Sequence, residues 1–247
     1  MKILVATKIV PEPEVSPSVV SGQLQTSGIK RIIDHSSEAS LCAAANISRA
    51  TRTDHITAVC IGSDSDAAAF KQTLAIGADD AILIKHSEAD IDSLSKAALI
   101  RRLVTLEEYE LVLLGNKSSD NGSGQTAQVL ASMLGWPHLS NVTRLKRVGE
   151  RLRASSLSGE ARAWFNVSLP CVIACDIRVA KLNYIRLSKL AAAKIKKIRI
   201  KIVSKLPPRA MLTTLRHTAP PALRTSEIVT GTANALNAML SCLELIC

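Results

Sequence analysis

A short apolar run followed by a polar, glycine-rich loop constrains this chain more than any other feature of its sequence. Residues 111–114 have the length and composition of a strand that is buried on both faces. Apolar residues then recur with helical spacing over residues 125–134, and Gly135 and Pro137 end that helix. This order places the loop at the carboxyl end of a strand, where open α/β sheets bind ligands.

The loop between this strand and this helix has the chemistry of an anion site. A helix begins with several unpaired backbone N–H groups and a partial positive charge. Glycines let the backbone approach a phosphate closely, and hydroxyl and amide side chains add hydrogen-bonding groups. The residues of this kind are Asn121, Gly122, Ser123, Gly124, Gln125 and Thr126. Since the Gly-Lys-Ser/Thr ending of a P-loop is missing, a Mg-dependent NTPase is not indicated, and a simple helix cap by Ser123 or Asn121 is the alternative.

Strands and helices also alternate along the chain before and after this loop. The sequence predicts buried strands over residues 2–7, 56–61, 81–84 and 172–176, and helices over residues 36–50, 63–74 and 91–106. Such alternation favours an α/β fold with a mostly parallel, doubly wound sheet and helices on both faces. The strand ends after Ala6 and Ile61 should then lie beside the loop that follows Leu114, so that the three form one crevice.

The pattern changes in the C-terminal part of the chain. Residues 141–155 are predicted to form a basic hairpin around Gly149, whereas residues 178–190 have no clear periodicity. Two Pro-Pro pairs, at 207–208 and 220–221, mark a linker, and residues 227–245 have a helix-like apolar face. We therefore expect an α/β domain over residues 1–203 and, over residues 204–247, an extended arm with a C-terminal helix that packs on a partner or on its own domain.

Charge and composition narrow the functional classes. The net charge is +10, and between residues 144 and 205 the only acids are Glu150, Glu160 and Asp176. Such asymmetry is typical of proteins that bind nucleic acid or an acidic protein. Nucleic-acid motifs are missing and aromatic residues make up only 2% of the sequence, so stacking platforms for single strands are scarce. An acidic protein partner is at least as plausible an interpretation, and a solvated basic face without a partner is the alternative. No nucleic acid is expected.

No metal site, catalytic group or membrane insertion is predicted. The six cysteines include no CxxC pair and no histidine lies at ligand spacing, so free thiols in a reducing compartment are expected. No Ser, Cys, His and acid arrangement suggests catalysis, so we do not expect an enzyme. No apolar run approaches the roughly 20 residues of a membrane helix. The predicted location is the cytoplasm of a bacterium or an equivalent reducing compartment.

Four separate blocks of the sequence resemble the β-subunit family of electron transfer flavoproteins. They are residues 1–8, 74–84, 111–137 and 169–176. The most specific block combines residues 111–115 with Asp120, Gln125-Thr-Ala-Gln128 and Leu134-Gly-Trp-Pro137. The resemblance implies an adenine nucleotide α-hydrolase-like fold and an electron carrier.

The same resemblance implies a set of cofactors and partners. The chain would form a heterodimer with an α subunit that carries most of the contacts to the redox FAD. Its own crevice would hold AMP as a structural nucleotide, or a second FAD as in electron-bifurcating members. Acyl-CoA or other flavoprotein dehydrogenases would donate electrons, and a quinone oxidoreductase would accept them.

The resemblance also assigns roles to individual residues. Ala6 and Ile61 fall on nucleotide contacts after the first and second strands, and Asp120 joins the phosphate-binding loop. Asp34 falls near the nucleotide, where the family has an amide. Leu187, together with Tyr184, falls on the partner-docking part of a recognition loop at about residues 177–194. A stand-alone ATP- or AMP-binding stress-type domain and an RNA-binding protein are the alternatives from other classes.

Overall fold

A computed structural model describes residues 1–15, 18–49, 53–86, 91–182, 184–203, 212 and 214–218 of the chain. The strands are β1 (Lys2–Thr7), β2 (Ile9–Pro11), β3 (Ser18–Val20), β4 (Gln23–Gln25), β5 (Arg31–Ile33), β6 (His55–Gly62), β7 (Asp80–His86), β8 (Leu111–Gly115), β9 (His138–Val148), β10 (Arg151–Ser158), β11 (Ala161–Ser168), β12 (Cys171–Cys175) and β13 (Arg199–Val203). The α-helices are α1 (His35–Ser48), α2 (Ala67–Phe70), α3 (Gln72–Ile76), α4 (Ser93–Glu107), α5 (Thr126–Leu134) and α6 (Leu187–Ile195).

One nine-stranded sheet organises the described part of the molecule. Its strand order is β11-β10-β9-β12-β8-β1-β6-β7-β13. The pairings from β9 to β13 are parallel, and the ribbon of β9, β10 and β11 is antiparallel. The predicted mostly parallel α/β sheet is therefore confirmed, with an antiparallel extension at one end.

Helices on both faces explain why the central strands are apolar on both sides. Ile3 and Val5 of β1 pack into a core that includes Leu41 of α1. Leu4, between them, faces the opposite core, which includes residues of α4 and α5 such as Leu130. Strands buried on both faces read as continuous apolar runs, because neither face can carry a solvated side chain.

The predicted crevice is present at the carboxyl edge of the sheet. β8, β1 and β6 are neighbours and run in the same direction, so the segments after Leu114, Ala6 and Ile61 leave the sheet side by side. The helix predicted after the loop is α5, and Gly135 follows it in a left-handed conformation.

One predicted helix is broken into pieces. In place of a single helix over residues 63–74, the chain forms a 3-10 turn (Asp64–Asp66), α2 and α3. The Ser63 N–H donates to the Asp66 carboxylate at 2.8 Å, which closes the first turn on itself. The Thr73 hydroxyl donates to the Phe70 carbonyl at 2.7 Å, and such side-chain bonds to the backbone compete with the regular helix.

The C-terminal segments differ in how far they can be compared with the predictions. α6 was not predicted because it is almost wholly exposed: Ala193 is its one buried residue. The Pro-Pro pairs and the apolar segment 227–245 lie outside the described residues. Cys42, Cys60, Cys171 and Cys175 are buried. Among the described residues, no helix combines the length and apolarity required to cross a membrane.

Candidate nucleotide site

A cavity of about 800 Å³ lies at the carboxyl ends of β1, β6 and β8. This volume falls within the roughly 300–1,000 Å³ that small-molecule sites occupy. Among its lining residues are all of the predicted cofactor contacts except Gly122: Ala6, Asp34, Ile61, Asp120, Asn121, Ser123, Gly124, Gln125 and Thr126. The structure thus brings together residues that are separated by up to 120 positions in the sequence.

The start of α5 presents unpaired backbone donors to this cavity. Gln125, at the cap position, makes no side-chain hydrogen bond to the helix. Within the described part of the chain, the N–H groups of Gly124, Gln125 and Thr126 have no hydrogen-bond partner. Gly124 has φ +60°, and an added Cβ there would lie 3.0 Å from the Asn116 carbonyl oxygen. The loop backbone therefore adopts a conformation that glycine favours, and its free donors suit an anion.

Lys8 and Asp120 form an ion pair across the mouth of the cavity. The Lys8 ammonium donates to Asp120 Oδ1 at 2.6 Å and to Ser118 Oγ at 3.2 Å. Burial by itself raises the pKa of Asp120. The hydrogen bonds from Lys8, Ser118 and the Asn121 N–H, together with the charge of Lys8, outweigh burial and hold the pKa below its usual value. The negative charge of Asp120 is thus neutralised by a cation from the end of β1.

Asp34 is used as a structural connector beneath the loop. Its side chain is buried, and Oδ1 accepts from the Ser119 N–H at 2.8 Å. Oδ2 accepts from the Ser36 N–H at 3.1 Å and, more weakly, from the Ser37 N–H at 3.4 Å. One carboxylate therefore caps the start of α1 and holds the phosphate-loop backbone at the same time.

Ser36 joins the same network. Its hydroxyl lies within hydrogen-bonding distance of the Asp34 carboxylate, and it also reaches the Lys117 carbonyl at 2.8 Å. Gly115, the last residue of β8, lies against Ser36 so closely that a side chain at Gly115 would collide with it. The first turn of α1 and the beginning of the loop are in direct contact.

The opposite rim of the cavity is held by a second ion pair and a second helix start. Arg31 Nε donates to the buried Asp66 carboxylate at 2.5 Å, which fixes the segment after β6. On α4, the Asp92 carboxylate accepts from the Ser95 N–H at 2.8 Å. Ser93 Oγ, at the start of α4, lies 3.4 Å from Ser123 Oγ, so the start of α4 is in contact with the loop.

Several residues of this site were not predicted as such. Lys8, Arg31, Ser36 and Asp66 line the cavity, yet each lies outside the glycine-rich loop. Their contacts join residues 35 to 112 positions apart. Only the position of Lys8 directly after β1 gave a local signal, since the carboxyl ends of parallel strands converge on ligands.

A short C-terminal segment also reaches the cavity. Leu212 and Thr214 are among its lining residues. The His217 N–H donates to the Gly22 carbonyl at 2.8 Å, which places this segment beside the β3–β4 hairpin. The described portion of the C-terminal region therefore lies near the mouth of the cavity.

The residues predicted for partner docking lie on the surface. Tyr184 is 93% exposed and Leu187, the first residue of α6, is 80% exposed. The segment before them begins with a 3-10 turn (Ile177–Val179), where the Asp176 carboxylate accepts from the Arg178 N–H at 3.0 Å. The two side chains are available to a partner and do not line the cavity.

Comparison with known proteins is consistent across most of the chain. A family model described as electron transfer flavoprotein domain matches residues 21–207. The electron transfer flavoprotein subunit beta of Syntrophomonas wolfei subsp. wolfei is 27% identical over 80% of this chain and 78% of that protein. The mitochondrial subunit beta of Arabidopsis thaliana is 28% identical over 94% of each chain. The subunit beta of Homo sapiens is 26% identical over 81% of this chain and 80% of that protein. These names are those of electron-carrier subunits rather than of enzymes.

Proposed function

Because the chain belongs to the electron transfer flavoprotein family, as a β subunit, we propose that its cavity binds AMP as a structural nucleotide. The phosphate lies at the start of α5, where Gly124, Gln125 and Thr126 offer free N–H groups. This uncapped helix start, at the carboxyl edge of a parallel sheet, is the observation that carries the proposal. The residues present fit a nucleotide in cavity volume and in donor chemistry.

The adenosine part is directed toward the ends of β1 and β6. Ala6 and Ile61 are partly buried apolar residues at these strand ends, and both line the cavity. Small-molecule sites combine such apolar walls with a few fixed polar groups. Lys8, Arg31 and Lys117 add positive charge at the rim, although Lys8 and Arg31 are already paired with carboxylates.

We further propose that the chain pairs with an FAD-carrying α subunit and helps to hold that FAD. The flavin supplies the redox chemistry, while this chain supplies nucleotide binding and partner contacts. The exposed Leu187 docks flavoprotein dehydrogenases, and the electrons pass on to a quinone oxidoreductase. An isolated apolar side chain that enters a partner's pocket can act as a binding hot spot.

Co-expression with a candidate α subunit tests the cofactor assignment. The purified heterodimer is denatured, and the released nucleotides are separated and identified by mass. Equal amounts of FAD and AMP are expected. Two FAD per heterodimer, without AMP, would mean that the cavity holds a second flavin and not AMP. One FAD per heterodimer, without any second nucleotide, would overturn nucleotide binding by this chain.

A matched pair of variants tests the docking assignment. Leu187 and Ile195 are the first and last residues of α6, and they are 80% and 85% exposed. Leu187→Ala should slow electron transfer from a partner dehydrogenase by about tenfold, the loss expected for a small apolar hot spot. Ile195→Ala should leave the rate unchanged. Equal rates for Leu187→Ala and the unmodified protein would remove the docking role.

A further inference from the structure

The ribbon of β9, β10 and β11 carries a face whose charged residues are all cationic. Lys146 of β9 stands opposite Arg153 of β10, which stands opposite Asn166 of β11. Side chains alternate along a strand, so residues two apart share this face. Its five cations, which we call the cationic face, are Arg144, Lys146, Arg151, Arg153 and Arg162, and all five are exposed. The other face of the ribbon is buried in the core through residues such as Leu152.

The cationic face is not neutralised by the described part of the protein. None of its five side chains forms an ion pair with a described carboxylate. Lys146 and Arg153 lie directly opposite each other, and like charges in that position repel. An arrangement that disfavours the isolated ribbon becomes favourable when an anionic surface covers it.

An aromatic residue accompanies these cations at the open edge of the sheet. Trp164 of β11 is on the same face and is 44% exposed, in a chain that has only two Trp. The Arg153 guanidinium lies over the Trp164 ring, 5.0 Å from its centroid. Four of the five cations are Arg, and Arg together with Trp is enriched in protein–protein interfaces. A protein partner therefore fits better than a membrane or a nucleic acid.

The C-terminal arm of this chain does not have the charge to fill that role. Residues 204–247 contain only two acids, Glu227 and Glu244, against four basic residues. We propose that the cationic face docks on an acidic surface of the partner subunit in the heterodimer. This inference rests on the proposed function, since it takes the α subunit as the partner.

A charge reversal on the cationic face tests the inference against a matched control. Lys146→Glu/Arg153→Glu changes the net charge by the same amount as Arg101→Glu/Arg102→Glu, which alters two exposed arginines of α4. The dissociation constant of each β variant from the α subunit is measured at about 50 mM and about 500 mM NaCl, because salt screens exposed charges. Circular dichroism and the melting temperature establish that each variant is folded.

We expect the reversal on the cationic face to weaken subunit binding by at least about tenfold, and the α4 control by less than about twofold. Lys146→Gln/Arg153→Gln, which removes charge without reversing it, should give an intermediate loss and keeps the test valid if the reversed variant does not fold. High salt should weaken binding of the unmodified protein and of the α4 control to the α subunit. Their dissociation constants should then be closer to that of the reversed variant.

Equal weakening by both reversals, or none by the first, would overturn the inference while leaving the subunit assignment intact. If the unmodified chain does not bind the α subunit at all, the proposed function itself fails, and the inference with it. Loss of binding to phosphatidylglycerol vesicles or to poly(U), with subunit affinity unchanged, would assign the cationic face to lipid or to RNA and would also overturn the inference.

Discussion

Asp34 shows how one buried carboxylate can join two elements that the sequence keeps far apart. Oδ1 binds the Ser119 N–H of the loop, and Oδ2 binds the first turn of α1. Asp92 caps the start of α4 as Asp34 caps the start of α1. Loss of Asp34 should therefore affect both a helix end and the candidate site.

We expect Asp34→Ala to lower the free energy of unfolding by about 1–2 kcal/mol, which is the usual cost of losing a helix cap. The additional loss of the contact to the loop should bring the change to the upper end of this range. Asp34→Asn keeps a single acceptor oxygen, so it should cost less, because that oxygen can satisfy one of the two elements. Urea unfolding measures both changes.

Asp92→Ala is the control for Asp34→Ala, since it removes a cap without the direct contact to Ser119. AMP affinity should fall in the Asp34 variants, whereas Asp92→Ala, at a residue that also lines the cavity, is a control for stability alone. An Asp34→Ala protein that is as stable as the unmodified chain would contradict the connector role.

The Lys8–Asp120 pair gives a prediction about a single pKa. Lys8 opposes the effect of burial on Asp120, so Lys8→Met should raise the pKa of Asp120 relative to the unmodified protein. A carbon-13 NMR titration of the side-chain carboxyl groups measures this change. Lys30→Met, which removes an exposed pair with Glu12, is the control and should leave Asp120 as it is.

At the scale of elements, the loop and the start of α5 act together, and Gly124 tests this. Gly124 and Gly149 have nearly the same backbone conformation, with φ +60° and +61°. An added Cβ at Gly124 would press on the Asn116 carbonyl, whereas no atom of the described residues lies within 4 Å of one at Gly149. Each alanine variant should lose about 1–2 kcal/mol of stability through its left-handed conformation. Calorimetric titration should show weaker AMP binding for Gly124→Ala alone, and an equal effect of Gly149→Ala would contradict the role of the loop.

The elements that could be predicted from the sequence are those with a buried face. β1, β8, α4 and α5 carry continuous apolar runs or helical spacing, because they pack into the two cores. α6 has only one buried residue, so its sequence has no stripe to detect. The helix after β6 was predicted as one piece because side-chain bonds to its backbone do not change hydrophobic spacing.

The candidate site likewise has one part that could be predicted from the sequence and one that could not. The glycine-rich loop was predicted because strand, turn and helix follow one another within residues 111–134. The pairs Lys8–Asp120 and Arg31–Asp66 and the double contact of Asp34 depend on strand order, which a single sequence does not show directly. Asp34 was expected near the nucleotide, and it does line the cavity, but both of its oxygens are already used by the protein.

For the whole molecule, the titrating groups predict a loss of stability in acid. Burial lowers the pKa of His138 from 6.5, so the unfolded chain binds a proton there first and stability falls as the pH drops below about 6.5. The pKa values of Glu107, Asp120 and Asp176 are also lowered, so stability should continue to fall below about pH 4.5. The raised pKa of Glu38 has the opposite effect on stability.

Urea unfolding at several pH values measures this profile. His138→Gln should reduce the change in stability between about pH 7 and pH 5, because a neutral amide does not titrate. The loss of stability at lower pH should remain. An unchanged slope in that interval would contradict the assignment to His138.

Stability should also fall at alkaline pH. Burial raises the pKa of Cys60, Cys171 and Cys175 from 9.0 to about 12, and that of Tyr109 from 10.0 to about 12. The unfolded chain therefore releases these protons first, and stability should fall as the pH rises above about 9. Maximal stability lies between the two limbs, at about pH 7–8.5, and the same urea series carried to pH 10 checks it.

The strand order also has a consequence for synthesis on the ribosome. β12 lies between β8 and β9, although it leaves the ribosome after both, and β13 completes the edge beside β7 only when residue 203 has been made. The strands and helix start that build the cavity are all made by residue 127, while one edge of β8 still has no neighbour. A nascent chain thus exposes two open edges of apolar strands, one on β7 and one on β8, during much of its translation, and these are the edges that a chaperone would need to shield.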